Sequence, residues 1–331
     1  MQNKSFLEQL DQVWVISRPA RETLGEDSFY GAAEAESAVV SVCDGCGGLG
    51  ARKYEVFQGH TGAYMASRTV SGAVRDWYQE NHSKNWKDTE ELAEQLDTCI
   101  RQAYGVCESY VTERLKIRGS MVRKFPTTLA LACARQEQQQ IVVHILWAGD
   151  SRVYLSDQNG LAQLTADDTD VRDALENLQS DGAMTNVLSS DGKYQIHTAA
   201  IRLTEPAMIF AATDGCFGYI PSPMEFEYMI LDTLHDSRTP AMFRQKLKKR
   251  FAEYAGDDFA FGFMSFGYGS YADTVKQLEG RREYLKTAYI DPLKQEKEED
   301  MDAMIQRLWK QYKPVYERYL ARQQDKGNED E

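Results

Sequence analysis

The sequence predicts an α+β fold of antiparallel sheets with helices packed on their outer faces. Three observations predict it. Short apolar runs with turn signals between them recur along the 331 residues. They come in clusters separated by paired helical segments, not in the strict βαβ alternation of a parallel sheet. Several runs are apolar at every position, as strands covered on both faces must be.

In chain order, VWVI (13–16) and AVVSVC (38–43) read as the first strands. A long helical region follows. Ala63, Ala66, Val70, Val74 and Trp77 keep helical spacing, and Leu92, Leu96, Ile100, Tyr104, Cys107 and Val111 do so again. The polar NHSKNWKDT segment separates the two helices. TTLALACA (127–134), IVVHILWAG (141–149) and RVYL (152–155) return to strands, and VYLSDQNGLAQL (153–164) reads as a hairpin turning at Asn159-Gly160. AMIFAAT (207–213) is the next strand. Helices follow over roughly 223–234 and 239–254, the second opening after Thr239-Pro240, and FAFGFMSFG (259–267) is the last strand. Beyond about residue 270 the texture changes. A charge run, KQEKEED (294–300), precedes a stripe of Met301, Met304, Ile305, Leu308, Trp309, Tyr312, Val315, Tyr316, Tyr319 and Leu320. That stripe predicts a helix interrupted near Pro314. The division expected is a domain over 1–270 and a charged helical extension over 271–331.

A net charge of −13 argues against a nucleic-acid groove or an anionic membrane as main partner, since both want a basic face. The six cysteines are scattered. Cys43 and Cys46 form one CxxC spacing without a second, which disfavours zinc and fits small buried thiols in a reducing compartment. No signal-peptide core or membrane-length apolar run is read, so the expectation is a cytoplasmic protein.

The chemistry lies where strands end in acids. VVSVCDGCGGLG (39–50) is a buried-looking strand that stops at Asp44 and runs into glycines. A buried carboxylate is costly unless paired or bound to a metal. IVVHILWAG runs into Asp150, and AMIFAAT into Asp214-Gly215. GEDSF puts Glu26 and Asp27 before a short apolar stretch, and AGDDF puts Asp257 and Asp258 before the last strand. One acid after a strand is turn chemistry. Five such places converge if the strands lie side by side, and like charges gathered there repel unless cations neutralise them. Oxygen ligands without His or Cys suit magnesium or manganese. Two such ions about 3.5–4 Å apart can activate a water and hold a phosphoryl group.

In order, GEDSF, VCDGCGG, TTLALA, WAGDSRVYL with LTADD, ATDG and GDDF resemble the PP2C-type (PPM) metal-dependent serine/threonine protein phosphatases, bacterial members in particular. The resemblance covers about 10–268. It implies a β-sandwich of two antiparallel sheets flanked by helices on both faces. It implies Asp44 as the catalytic carboxylate bridging two Mn2+ or Mg2+ ions and the Gly45 carbonyl as a further ligand. Glu26 would touch one metal, with Asp27 supporting that shell. Asp214 and Asp257 would complete the other metal's set, and Asp150 would serve a third ion. Thr127 and Thr128 match a structural turn. The implied substrate is a phosphorylated protein, opposing a serine/threonine kinase.

Two places depart from the pattern. Cys46 stands where animal members have a histidine, which many bacterial members also lack, so protonation of the leaving group comes from water or elsewhere. The family's phosphate-binding arginine falls at Glu22, and a one-residue bulge brings Arg21 to that place, its planar fork suited to a phosphate dianion. Two alternatives stay open from the residues: an inactive phosphatase fold acting as a binding module, and a small-molecule phosphohydrolase on the same metal site. ARKYEVFQGHTG (51–62) and 165–200 are candidate flaps beside the site. The tail stripe is expected to pack back on its own domain.

Overall fold

The computed structural model describes residues 4–20, 25–84, 86, 88–111, 124–180 and 182–320. Twelve strands are seen among them: β1 (Leu10–Arg18), β2 (Ser28–Ala33), β3 (Ser37–Cys43), β4 (Lys53–Tyr54), β5 (His60–Thr61), β6 (Leu129–Glu137), β7 (Gln140–Ala148), β8 (Arg152–Asp157), β9 (Gly160–Gln163), β10 (His197–Leu203), β11 (Ala207–Ala212) and β12 (Phe259–Phe266). The helices that matter here are α1 (Gly62–Asn81), α2 (Thr89–Ser109), α3 (Ala174–Ser180), α4 (Asp214–Phe217), α5 (Pro223–His235), α6 (Pro240–Tyr254), α7 (Tyr271–Leu285), α8 (Asp291–Gln295) and α9 (Met301–Tyr316).

Two five-stranded sheets face each other, ordered β1-β12-β11-β8-β9 and β10-β7-β6-β3-β2, with every pairing antiparallel. Between them lies a dry layer of small and β-branched side chains, among them Val40, Val42, Ala132, Ile209, Ala211 and Met264. The outer face of the second sheet is covered by α1 and α2, through Val70, Trp77, Leu96 and Ile100. The outer face of the first is covered by α5, α6 and the C-terminal helices, through Phe226, Phe243 and Phe251. Because helices cap both sheets, β3, β8, β11 and β12 are buried at every position. The sequence shows this as unbroken apolar runs. The flanked sandwich expected from the sequence is the fold.

Four details differ from the expectation. Residues 28–33 and 197–203 form edge strands that the sequence reading did not bound as strands. They are only half-buried, so they lack an apolar run. The β8–β9 hairpin turns at Gln158-Asn159, one residue earlier than predicted, with Asp157 paired to Gly160. The Asp157 carboxylate sets that register by accepting from the amides of Asn159 (2.8 Å) and Gly160 (3.1 Å). Residues 271–285, placed by the sequence in a charged helical extension but without helix bounds, form α7, and the chain continues through a π turn over 286–290 into α8. Finally, α9 runs through Pro314 to Tyr316 without a break. Pro314 is on the exposed face, so the carbonyl it leaves without a partner can face water, and the helix ends two residues later.

The tail packs on the sandwich. Trp309, Tyr312 and Tyr316 are buried in one cluster with Tyr154, Phe217 and Phe226. Polar ties match the apolar ones. Tyr316 Oη accepts from Arg152 (3.2 Å), Trp309 Nε1 donates to Asp173 (3.1 Å) and Lys313 pairs with Asp173 (2.6 Å).

Candidate active site

The site is built where β3, β7 and β11 release their acids at one end of the sandwich. Asp44 follows β3, and its backbone is held firmly. Its amide donates to Thr128 Oγ1 (3.0 Å), and its carbonyl accepts from the Thr128 amide (2.8 Å) and Thr127 Oγ1 (2.6 Å). Thr128 Oγ1 also meets Ser151 Oγ (2.6 Å), beside Asp150. The two threonines therefore register the ends of two strands, and Thr127 bridges Gly45. Gly45 has to be glycine. A Cβ there would lie 2.7 Å from the Ala63 carbonyl oxygen and 2.8 Å from that of Glu26.

Around Asp44 the carboxylates crowd. Asp27 accepts from Thr213 Oγ1 (2.8 Å) and faces the Asp44 carboxyl within hydrogen-bonding reach. Burial raises Asp27 well above the usual carboxylate range, and Asp214 and Asp258 add to it. Burial also raises Asp44, with Asp27, Asp214 and Asp150 adding repulsion. Asp150 is pushed up to about 8 by burial and by Asp214 and Asp167, and its Oδ1 is buried without a hydrogen-bond partner. The four half-buried carboxyls thus lie within electrostatic reach of one another, with Asp214 opening the single turn of α4.

Glu26, Asp257 and Asp258 form the rim. Glu26 Oε1 accepts from Thr61 Oγ1, and its Oε2 sits 2.5 Å from where a Gly47 Cβ would be, over the glycine loop. Its carbonyl accepts from Ser67 Oγ and its amide donates to Asp258 Oδ2. Burial holds Glu26 above its ordinary value, and Asp258 and Asp257 push it further against the Thr61 bond. Asp257 is exposed and lines the same cleft as Glu26. Asp258 fixes backbone, receiving the amides of Ala20 (2.5 Å) and Glu26. Arg21 lies outside the described residues. Cys46 is beside Asp44, and burial with the nearby carboxylates holds its thiol well above the ordinary value, so it is a neutral flank of the loop.

Sequence reasoning missed Thr61, Ser67 and Thr213, which orient the acids, and it named Asp258 as a strand-end acid without its role of holding the Glu26 and Ala20 amides. Thr213 alone carried a signal, standing directly before the strand-end acid Asp214. The others are distant in sequence and give none.

Among the described residues, no three His, Cys, Asp or Glu groups already surround one point as a finished metal-ligand set. The chemistry of the donor set nevertheless suits a hard divalent cation. It is all oxygen, it is buried and self-repelling, and it contains the orphaned Asp150 Oδ1.

The profile of the protein phosphatase 2C family matches residues 17–252. The chain belongs to that family. Its members are serine/threonine protein phosphatases, and this chain is an enzyme of that type. No match is found among curated proteins. Among solved structures, the chain is similar to the serine/threonine phosphatase Stp1 from Staphylococcus aureus, at 17% identity and TM-score 0.56, covering 78% of this chain and 97% of that one. It is similar to the Mycobacterium tuberculosis phosphatase PstP/Ppp at 18% identity and TM-score 0.53, covering 78% and 98%. The PstP catalytic domain in complex with two manganese ions matches at 17% identity and TM-score 0.51, covering 78% and 98%. At these identities the likeness is one of fold. No helix among the described residues is long and apolar enough to cross a membrane.

Proposed function

We propose that this protein hydrolyses phosphoserine and phosphothreonine on proteins, opposing a serine/threonine kinase, with two Mn2+ or Mg2+ ions bound at the strand ends. One observation carries the reading. Asp27, Asp44, Asp150 and Asp214 are gathered together, and burial, with repulsion inside the group, raises the proton affinity of Asp27, Asp44 and Asp150. A fold keeps such a cluster at a cost unless cations use it.

Asp44 would be shared by the two ions, with the Gly45 carbonyl beside it. Glu26, oriented by Thr61, would hold one ion with Asp27 behind it. Asp214 and Asp257 would hold the other, and Asp150 a third. When bound, the ions lower the pKa of a water and neutralise charge on the phosphoryl group. The chain's own part is positional. Thr127, Thr128 and Ser151 hold Asp44 and Asp150 in register, and Thr213 aims Asp27. Cys46, as a neutral thiol, is not the nucleophile, and the leaving alkoxide takes its proton from water.

The test is manganese-dependent release of phosphate from a phosphothreonine peptide. Asp44→Asn should lower it by about 100-fold or more, the scale of removing one group from a preorganised site. Hydrolysis that ignores chelation, or an Asp44→Asn variant as active as the parent, contradicts the proposal.

A further inference from the structure

The segment between the glycine loop and α1 folds into a two-stranded hairpin, β4 with β5, pairing Lys53 with Thr61 and Tyr54 with His60. It is not idle. A cleft of about 380 Å³ is lined by Glu26, Asp257 and Asp258 together with Lys53, His60 and Tyr64. Lys53 and His60 are the two basic residues in that lining. Among the described residues, neither the Lys53 ammonium nor a ring nitrogen of His60 has a hydrogen-bond or ion-pair partner. Lys53 is exposed and His60 half-exposed, so both are free to meet an anion that enters the cleft.

The His60 ring is held in place. The His60 ring lies flat on Tyr64, 3.8 Å between centroids and 5° from parallel. The Arg68 guanidinium lies 3.4 Å from the same centroid, and two groups so close cannot share one face. Tyr64 is therefore clamped between His60 and Arg68, and Arg68 is itself anchored on the Gly25 carbonyl (2.9 Å). Thr61, next to His60, caps α1 by accepting from the Tyr64 amide (3.0 Å) and donates to Glu26. The hairpin is thus tied directly to an acid of the metal site.

We propose that Lys53 and His60 grip the phosphoryl group of the substrate in this cleft. The inference rests on the phosphatase reading and adds the anion-binding wall to it. Lys53 supplies a point charge, and His60 supplies a ring N–H whose direction is set by the stack on Tyr64. In a chain of net charge −13, a phosphate dianion needs such a local wall before it can approach Glu26 and Asp257. The ligand class is a phosphate monoester. A phosphorylated protein side chain and a small ester share that chemistry.

The test is calorimetric titration of the full chain, in magnesium, with inorganic phosphate. Lys53→Met should weaken binding about tenfold and Lys53→Arg should restore most of it. His60→Phe keeps a flat ring on Tyr64 but loses the N–H, and should weaken binding several-fold with an unchanged melting temperature. In steady-state kinetics, Lys53→Met should raise KM for a phosphothreonine peptide and for p-nitrophenyl phosphate alike, with a smaller change in kcat. A rise for the peptide alone overturns the phosphoryl grip. So does parental phosphate affinity in both variants, absence of phosphate binding in the parent, or loss confined to Arg21→Ala. Phosphate binding that depends on Lys53 in a protein without hydrolytic activity upholds the grip and refutes the phosphatase reading instead.

Discussion

Replacing Arg281 by methionine is expected to destabilise the whole chain by about 4 kcal/mol. Glu227 on α5 is 1% exposed, and Arg281 on α7 covers it at 8% exposure. The guanidinium reaches it through Nε at 2.9 Å and a second nitrogen at 2.7 Å. Tyr312 Oη from α9 donates at 2.6 Å and the Leu161 amide from β9 at 3.0 Å. One carboxylate therefore joins three helices and an edge strand. Each hydrogen bond to a charged group contributes about 1.5–3 kcal/mol, so two give roughly 3–6. Leaving one partner of a buried pair uncompensated costs about 3–5 kcal/mol. The two ranges overlap near 4. The assay is urea unfolding followed by tryptophan fluorescence, with an unchanged slope against denaturant. The double variant Arg281→Met/Glu227→Gln should recover part of the loss, because the stranded charge is gone while the amide still accepts from the Leu161 N–H and donates to Tyr312 Oη. A single-variant loss below about 1 kcal/mol, or a double variant no better than the single, would refute the reasoning.

Three further outcomes follow from the same packing and charge. Protein stripped of metal should lose stability as pH rises through about 8, because Asp150 is protonated in the fold to about that value and ionises near the ordinary carboxylate pKa when unfolded. Its contribution is full below the unfolded value and fades through the folded one. Asp27 and Asp44 are raised in the same direction, and thermal melts from pH 6 to 9 with and without manganese should show the fall reversed by the metal. Cys46→Ala should keep activity within about twofold in the phosphopeptide assay, and the parent thiol should resist iodoacetamide at neutral pH, since burial and Asp44 keep it protonated. Gly215→Ala should cost about 3 kcal/mol, the upper end for overpacking, because a Cβ there would stand 1.8 Å from the Asp258 carbonyl oxygen; chemical denaturation measures it.

The parts of the fold that read clearly in the sequence are those whose signal is local. The covered strands β3, β7, β11 and β12 announce themselves as apolar runs, and α1 and α2 by their spacing. The edge strands β2 and β10 do not, because a half-exposed strand needs no apolar run. α7 is quiet for a related reason. It buries Thr274, Leu278 and Leu285, and the rest of its hold comes from Arg281 and Arg282 pairing with Glu227 and Asp232, partners about 50 residues away in sequence. The acids of the site were legible because each sits at the end of a strand, and convergence follows once antiparallel strands are laid side by side. The groups that aim those acids were not. Thr61 and Ser67 meet Glu26 across the whole β3 strand and glycine loop, and only the fold brings them there. The same holds for Lys53 and His60, which are ordinary surface residues until the hairpin places them in the cleft.

The account stands most directly on manganese itself. Crystals soaked in Mn2+ and measured at the manganese absorption edge should give two anomalous peaks sharing Asp44, one reaching toward Glu26 and the other toward Asp214 and Asp257. A well-ordered crystal with no anomalous signal among these carboxylates, or with its manganese held elsewhere on the surface, would contradict it.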